Sequence, residues 1–170
     1  MIIKMNTKWA DSYKYGQEAE KRFAKLLPNP IWANRDQNMH EHWDVANGDS
    51  GIRYDVKAMK RVNKSDKDPT DLFHWIELKN VNGKAGWLYG EADYFSFETK
   101  NYWLLVPRQK LQIRMHDIDM EKSTILEACT TREIYKLYTR PNRKDLISLI
   151  PIEDIDSLSA RRLKTEFYLK

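Results

Sequence analysis

The sequence predicts a single α/β domain spanning residues 1–170. Two observations carry this: an amphipathic helix near the start, and a series of short strand-like segments, two of them joined by a Gly-containing turn. Composition agrees, because 41% apolar and 32% charged residues describe a globular chain with enough length to bury a core.

Several classes are excluded at this level. No run of about eighteen apolar residues is present, so neither a membrane span nor a membrane partner is expected. The start, Met1 to Asn6, lacks the apolar stretch and small-residue cleavage site of a signal peptide. One cysteine, Cys129, rules out an internal disulfide and a Cys-based zinc cluster. It fits a reducing compartment, hence a cytoplasmic protein, and reads as a buried or inert thiol. Net charge of +4 leans weakly toward nucleic acid. Six Trp and nine Tyr add surface for stacking bases, although core positions are the default for any one of them.

Ser12 to Leu27 reads as the helix, with Ala19, Phe23, Leu26 and Leu27 at helical spacing and a stop at Pro28-Asn29-Pro30. Gly16, Glu20, Phe23 and Leu27 fall on one line, which places Glu20 in or beside the apolar stripe. A carboxylate there needs a partner. Glu18 points toward solvent.

The organising stretch is His42-Trp43-Asp44-Val45 followed by Gly51-Ile52-Arg53-Tyr54-Asp55-Val56-Lys57-Ala58. Alternation puts Ile52, Tyr54, Val56 and Ala58 on one face, and Arg53, Asp55 and Lys57 on the other. It likewise separates Trp43 and Val45 from His42 and Asp44. With Asp49-Ser50 as the loop tip, Gly48 faces Gly51 and Asp44 falls opposite Asp55. Opposed carboxylates repel unless a cation lies between them. A one-residue slip would move Asp44 to the other face.

Further along, Ile31–Arg35 is expected as a strand and Arg61–Asp71 as a charged surface loop. Leu72–Leu78 is another strand, Asn80–Gly86 a turn, and Ala92–Phe97 with Tyr102–Val106 a hairpin. Pro107 starts a short helix carrying Arg108, Lys110, Leu111 and Arg114. Ile134–Thr139 and Leu146–Ile150 form a basic hairpin around Arg140-Pro141-Asn142-Arg143-Lys144. A last helix is expected from Ser157 to the end.

Glu20, Asp44, Asp55 and Lys57 thus converge from a helix and two strands. Mg²⁺ takes oxygen ligands, needs only one or two carboxylates and keeps waters for a phosphate to displace. Asp44 and Asp55 are its expected ligands, with Mn²⁺ able to substitute. Glu20 is expected to complete the site, hold a second ion or orient a water. Protonated Lys57 does not ligate; its expected work is to position or deprotonate the attacking water and offset charge on the phosphorane.

Asp44, ten intervening residues, then Asp55-Val56-Lys57, with an upstream helical glutamate, resembles the PD-(D/E)XK nuclease superfamily. That group contains restriction endonucleases, Holliday-junction resolvases and phage exonucleases. The resemblance implies a restriction endonuclease-like α/β core, a central mixed sheet flanked by helices, here with a C-terminal hairpin and helix. It also implies Mg²⁺-dependent hydrolysis of DNA phosphodiesters. Gly90-Glu91-Ala92-Asp93-Tyr94-Phe95 before an apolar strand is similar to later core strands of resolvase-like and phage-type members. Trp43 replaces the proline that names the motif, and no amphipathic helix is legible after Lys57.

Glu77-Leu78-Lys79 is a rival ExK on a strand, with Asp55 as its first acid; a long charged loop between the acids counts against it. Glu77 is then expected at the edge of the site. His40 and His42 lack the second ligand pair a zinc site requires, and His42, on the face of Asp44, is a second-sphere or phosphate contact. Asp93 either faces the cleft or caps a turn. Arg108, Lys110, Arg140, Arg143 and Lys144 are the candidate DNA contacts, with Tyr135 and Tyr138 behind the turn. The expected function is a Mg²⁺-dependent DNA nuclease. Its rivals are a nucleic-acid-binding or regulatory module on the same fold, and a structural domain in which Asp55 and Lys57 are only a salt-bridged pair. Oligomeric state stays open, a homodimer included.

Overall fold

The computed structural model describes residues 7–117, 125–127, 133–158 and 161–165. Helix α1 (Thr7–Ala24) leads into strands β1 (Ile31–Trp32), β2 (Val45–Ala46) and β3 (Arg53–Lys57), with a π-turn over Gln37–Glu41 between the first two. Then come β4 (Phe73–Lys79), a 3₁₀ turn (Trp87–Tyr89), β5 (Tyr94–Glu98), β6 (Tyr102–Pro107) and α2 (Arg108–Asp117). The chain continues through β7 (Ile125–Glu127), β8 (Leu137–Thr139), β9 (Leu146–Pro151), α3 (Ile152–Asp156) and β10 (Arg161–Lys164).

Two sheets result. One has six strands in the order β1-β2-β3-β5-β6-β10, the other four in the order β4-β9-β8-β7. The six-stranded sheet is mixed: β3 and β5 run parallel while its other neighbours are antiparallel. A parallel pair requires a crossover. Residues 58–93 provide it without an α-helix, through the charged loop, β4 and the 3₁₀ turn.

Alternation decides what each face meets. Ala19, Phe23 and Ala24 of α1, with Leu27 just beyond it, cover Val45, Tyr54, Val56 and Trp103, with the Phe23 ring edge-on to Tyr54 and Trp103 at 5.2 and 5.1 Å. Phe95, Phe97, Leu104 and Val106 point the other way, into a core shared with Ile76, Leu78, Trp87, Leu111 and Ile150. Each such side chain contributes about 1.5–3 kcal/mol on burial. Asp55 and Lys57 face this second side, opposite Phe95 and Phe97 in register.

The expected mixed sheet with helices beside it is present, with α1 covering one side and a second sheet together with α2 and α3 covering the other. Of the helix expected from Ser157 to the end, residues 161–164 form a strand instead, and residues 159–160 and 166–170 lie outside the described residues. Arg161–Lys164 adds to the edge of β6, where Leu163 reaches the α1-side core and the Arg162 guanidinium lies 4.9 Å from the Tyr102 ring. An open edge of unpaired backbone groups offers this segment more than its weak apolar periodicity offers a helix. Cys129 lies outside the described residues. Among those residues no helix is long and apolar enough to cross a membrane.

Candidate active site

The hairpin turn closes through Gly51 N–H to Asn47 O (2.8 Å) and Asn47 N–H to Ile52 O (2.9 Å), while Asn47 Oδ1 accepts from Asp49 and Ser50. Val45 pairs with Tyr54 and Ala46 with Arg53. The paired register ends at Val45, and the Asp44 N–H donates to Tyr54 O at 2.8 Å, one residue off that register, while the Asp44 and Asp55 carboxyls still come within interaction range of each other. The alternation expected for residues 42–45 is interrupted upstream. His42 takes a left-handed conformation (φ 54°) after the π-turn, and Trp43 packs with Ala46 and Ala92 instead of alongside Val45.

Asp44 is fixed through both carboxylate oxygens. Oδ1 accepts from Asn38 Nδ2 at 2.6 Å and Oδ2 from the Val56 N–H at 2.7 Å. Asp55 is buried, and its Oδ1 lies 2.6 Å from Lys57 Nζ. Its Oδ2 is buried with no donor among the described residues. Asp44 approaches closely enough to share a proton with it. Burial pushes the Asp55 carboxyl up to about 8, Lys57 opposing and Asp44 reinforcing the shift.

Glu20, half-buried on α1, is pushed up to about 7, first by burial and then by the charge of Asp44, with Lys57 opposing. Helix and hairpin therefore meet electrostatically. No three acidic or histidine side chains among the described residues stand together as a ready ligand cluster.

Lys57 has a second neighbour that sequence reading missed. Its Nζ lies 4.1 Å from the centre of the Trp87 ring, which in turn packs edge-on to Phe95 at 4.9 Å. The turn carrying Trp87 is pressed between two elements of the site. A Cβ on Gly86 would come within 2.3 Å of Glu77 O, and one on Gly90 within 2.6 Å of His42 Cβ. The signal was the Gly86-Trp87-Leu88-Tyr89-Gly90 punctuation, but nothing local announces the ring's cationic partner. Asn38 was missed for the same reason.

The surrounding candidates divide. His42 lies near Lys57, Glu77 and Asp44, and burial followed by the Lys57 charge lowers its pKa. Glu77 reaches the edge of the site from β4, whereas Lys79 is exposed at the end of that strand, against the rival ExK. Asp93 turns away: its Oδ2 accepts from the Arg53 N–H at 2.8 Å, and Arg53 also lies 3.7 Å from Glu41 and 3.5 Å from Glu91. Arg108 donates to Ala92 O at 2.8 Å and is held in the fold. Arg140 pairs with buried Asp145. Its charge and those of Lys57, Glu77 and Asp55 reach Lys60, a basic rim residue not singled out beforehand. Lys110, Arg143 and Lys144 are exposed. Tyr138 is buried against Trp75, and Tyr135 is engaged by Arg114, so neither presents a stacking face behind the basic turn.

Comparison with protein-family models, curated proteins and solved structures finds no match to this chain.

The donor set fits a hard divalent cation. Two opposed carboxylates offer oxygen only, one oxygen is buried without a donor, and a lysine on the far side stops short of neutralising both acids. A divalent cation would be held by Asp44 and Asp55 and would supply the positive charge that a shared proton supplies in the metal-free protein.

Proposed function

We propose that the protein is a Mg²⁺-dependent nuclease that hydrolyses DNA phosphodiester bonds, with the site arranged as in restriction endonuclease-like enzymes. The observation that carries this reading is the buried, donorless Oδ2 of Asp55 beside Asp44, with Lys57 on the opposite oxygen. Asp44 and Asp55 would hold Mg²⁺ or Mn²⁺. When bound, the ion supplies Lewis-acid polarisation of a phosphoryl oxygen and acidifies the water it carries.

The chain's own residues divide the remaining work. Asn38 and the Val56 N–H orient Asp44 so that it need not reorganise. Lys57, anchored by Asp55 and the Trp87 ring, donates toward the attacked phosphate. Glu20, with a carboxyl pushed up to about 7, is tuned to take or give a proton near neutrality. Lys60, which feels the charges of Lys57, Glu77 and Asp55, adds positive charge beside the site.

Purified protein is to be incubated with plasmid, single-stranded and branched DNA in Mg²⁺ or Mn²⁺, beside Asp55→Ala and Lys57→Ala. Cutting that requires the metal and both residues is expected. Cutting that persists unchanged in either variant overturns the site assignment. DNA binding with neither cutting nor metal uptake by calorimetry would favour the non-catalytic binding module.

A further inference from the structure

We propose that the cleft between α1 and the edge strand β1 receives one unpaired nucleotide of the substrate strand, its base stacked on Trp32 and its phosphate near Lys21 and Lys25. This deepens the nuclease reading and rests on it. Trp32 is 48% exposed on a strand only two residues long. Its indole borders a cleft of about 340 Å³ whose walls include Ala24, Pro30, Lys21 and Lys25. That volume suits a single flat group bounded by an aromatic face.

Charge complements the shape. Lys21, Arg22 and Lys25 line the cleft against one acid, Glu18. Arg22 is engaged by Glu98 at 2.7 Å. The Lys21–Glu18 pair, at 2.9 Å, is exposed on both sides, and such a pair costs little to exchange for a phosphate. Position relates the cleft to the site through the helix: Trp32 pairs with Val45 and so lies on the α1 side of the sheet, and α1 carries Glu20 one helical turn before the cleft residue Ala24. Stacking needs an open base face, which a paired base inside a duplex does not present, so the cleft selects single-stranded or frayed DNA.

The test is fluorescence anisotropy of labelled poly-dT and of a blunt hairpin duplex in EDTA, with wild type, Trp32→Ala, Trp32→Phe and Lys21→Glu/Lys25→Glu. Trp32→Ala is expected to weaken poly-dT binding roughly 5- to 100-fold and leave the duplex unchanged, while Trp32→Phe retains most of the affinity. The lysine variant should bind poly-dT more weakly with a shallower salt dependence. Unchanged poly-dT binding in Trp32→Ala, or equal losses on both DNAs, overturns the proposal. Because binding is read without metal, its outcome separates from that of the nuclease reading: Asp55→Ala should lose cutting yet keep Trp32-dependent binding of poly-dT.

Discussion

The Lys57 ammonium lies 4.1 Å from the centre of the Trp87 indole, so a ring face as well as a carboxylate holds the lysine of the site. A cation over an aromatic face gains about 0.5–2 kcal/mol, the more as water is excluded. Trp87→Leu should therefore lower kcat for DNA cleavage about 3- to 30-fold, with Trp87→Phe between it and wild type. Mg²⁺ affinity by calorimetry should stay the same, because Asp44 and Asp55 are untouched. Metal affinity falling together with kcat would show instead that the site has collapsed.

Asp55 makes stability depend on pH in a defined direction. Its carboxyl is raised from 3.8 to about 8 by burial, so between those values the folded chain holds a proton that the unfolded chain has released. Stability from this group is complete below the lower value and declines as pH rises toward the upper one. One such proton gives a slope of about 1.4 kcal/mol per pH unit at most. Urea denaturation of the metal-free protein from pH 5 to 8.5 should show this decline. Asp55→Asn should flatten it, and an equal slope in the variant would refute the assignment.

The same protons compete with the metal. Mg²⁺ requires ionised carboxylates, and both Asp55 and Glu20 hold protons near neutrality in the metal-free protein. Affinity should rise with pH through the range of about 6 to 8, with proton release on binding. Calorimetry in buffers of different ionisation enthalpy measures that release directly. Glu20→Gln should reduce the number of protons released while leaving much of the affinity, since Glu20 stands beside the pair.

What was legible in the sequence was local. The register of Val45 on Tyr54 follows from four residues of turn chemistry and period-two alternation, and it leaves the Asp44 and Asp55 carboxyls within interaction range. The α1 face followed from helical spacing. The second sheet did not follow, because β4 finds its partner β9 some seventy residues later, with β5, β6, α2, β7 and β8 between them and no directional signal. Strand β10 was read as helix since its pairing with β6 depends on an edge that only the assembled sheet exposes. Trp87 and Asn38 were silent for a related reason: each acts through a partner distant in sequence or beyond an irregular turn.

Gly90 tests how tightly the Trp87 turn is seated. Its backbone meets the π-turn, where an added Cβ would stand 2.6 Å from His42 Cβ and 2.8 Å from Glu41 O. Relief of that clash has to displace either His42, two residues from Asp44, or the turn that carries Trp87 to Lys57. Gly90→Ala should thus cost about 1–3 kcal/mol, lowering Tm by several degrees, and reduce cleavage more than the stability loss alone accounts for. Gly16 is the contrast. It lies within α1 with nothing within 4 Å of an added Cβ, so Gly16→Ala should stabilise by up to about 1 kcal/mol through helix propensity. Thermal melts that shift in opposite directions, with cleavage impaired only in Gly90→Ala, are the expected pair of results. A neutral Gly90→Ala would mean that the turn has slack, and the hold on Lys57 would then have to come from Asp55 alone.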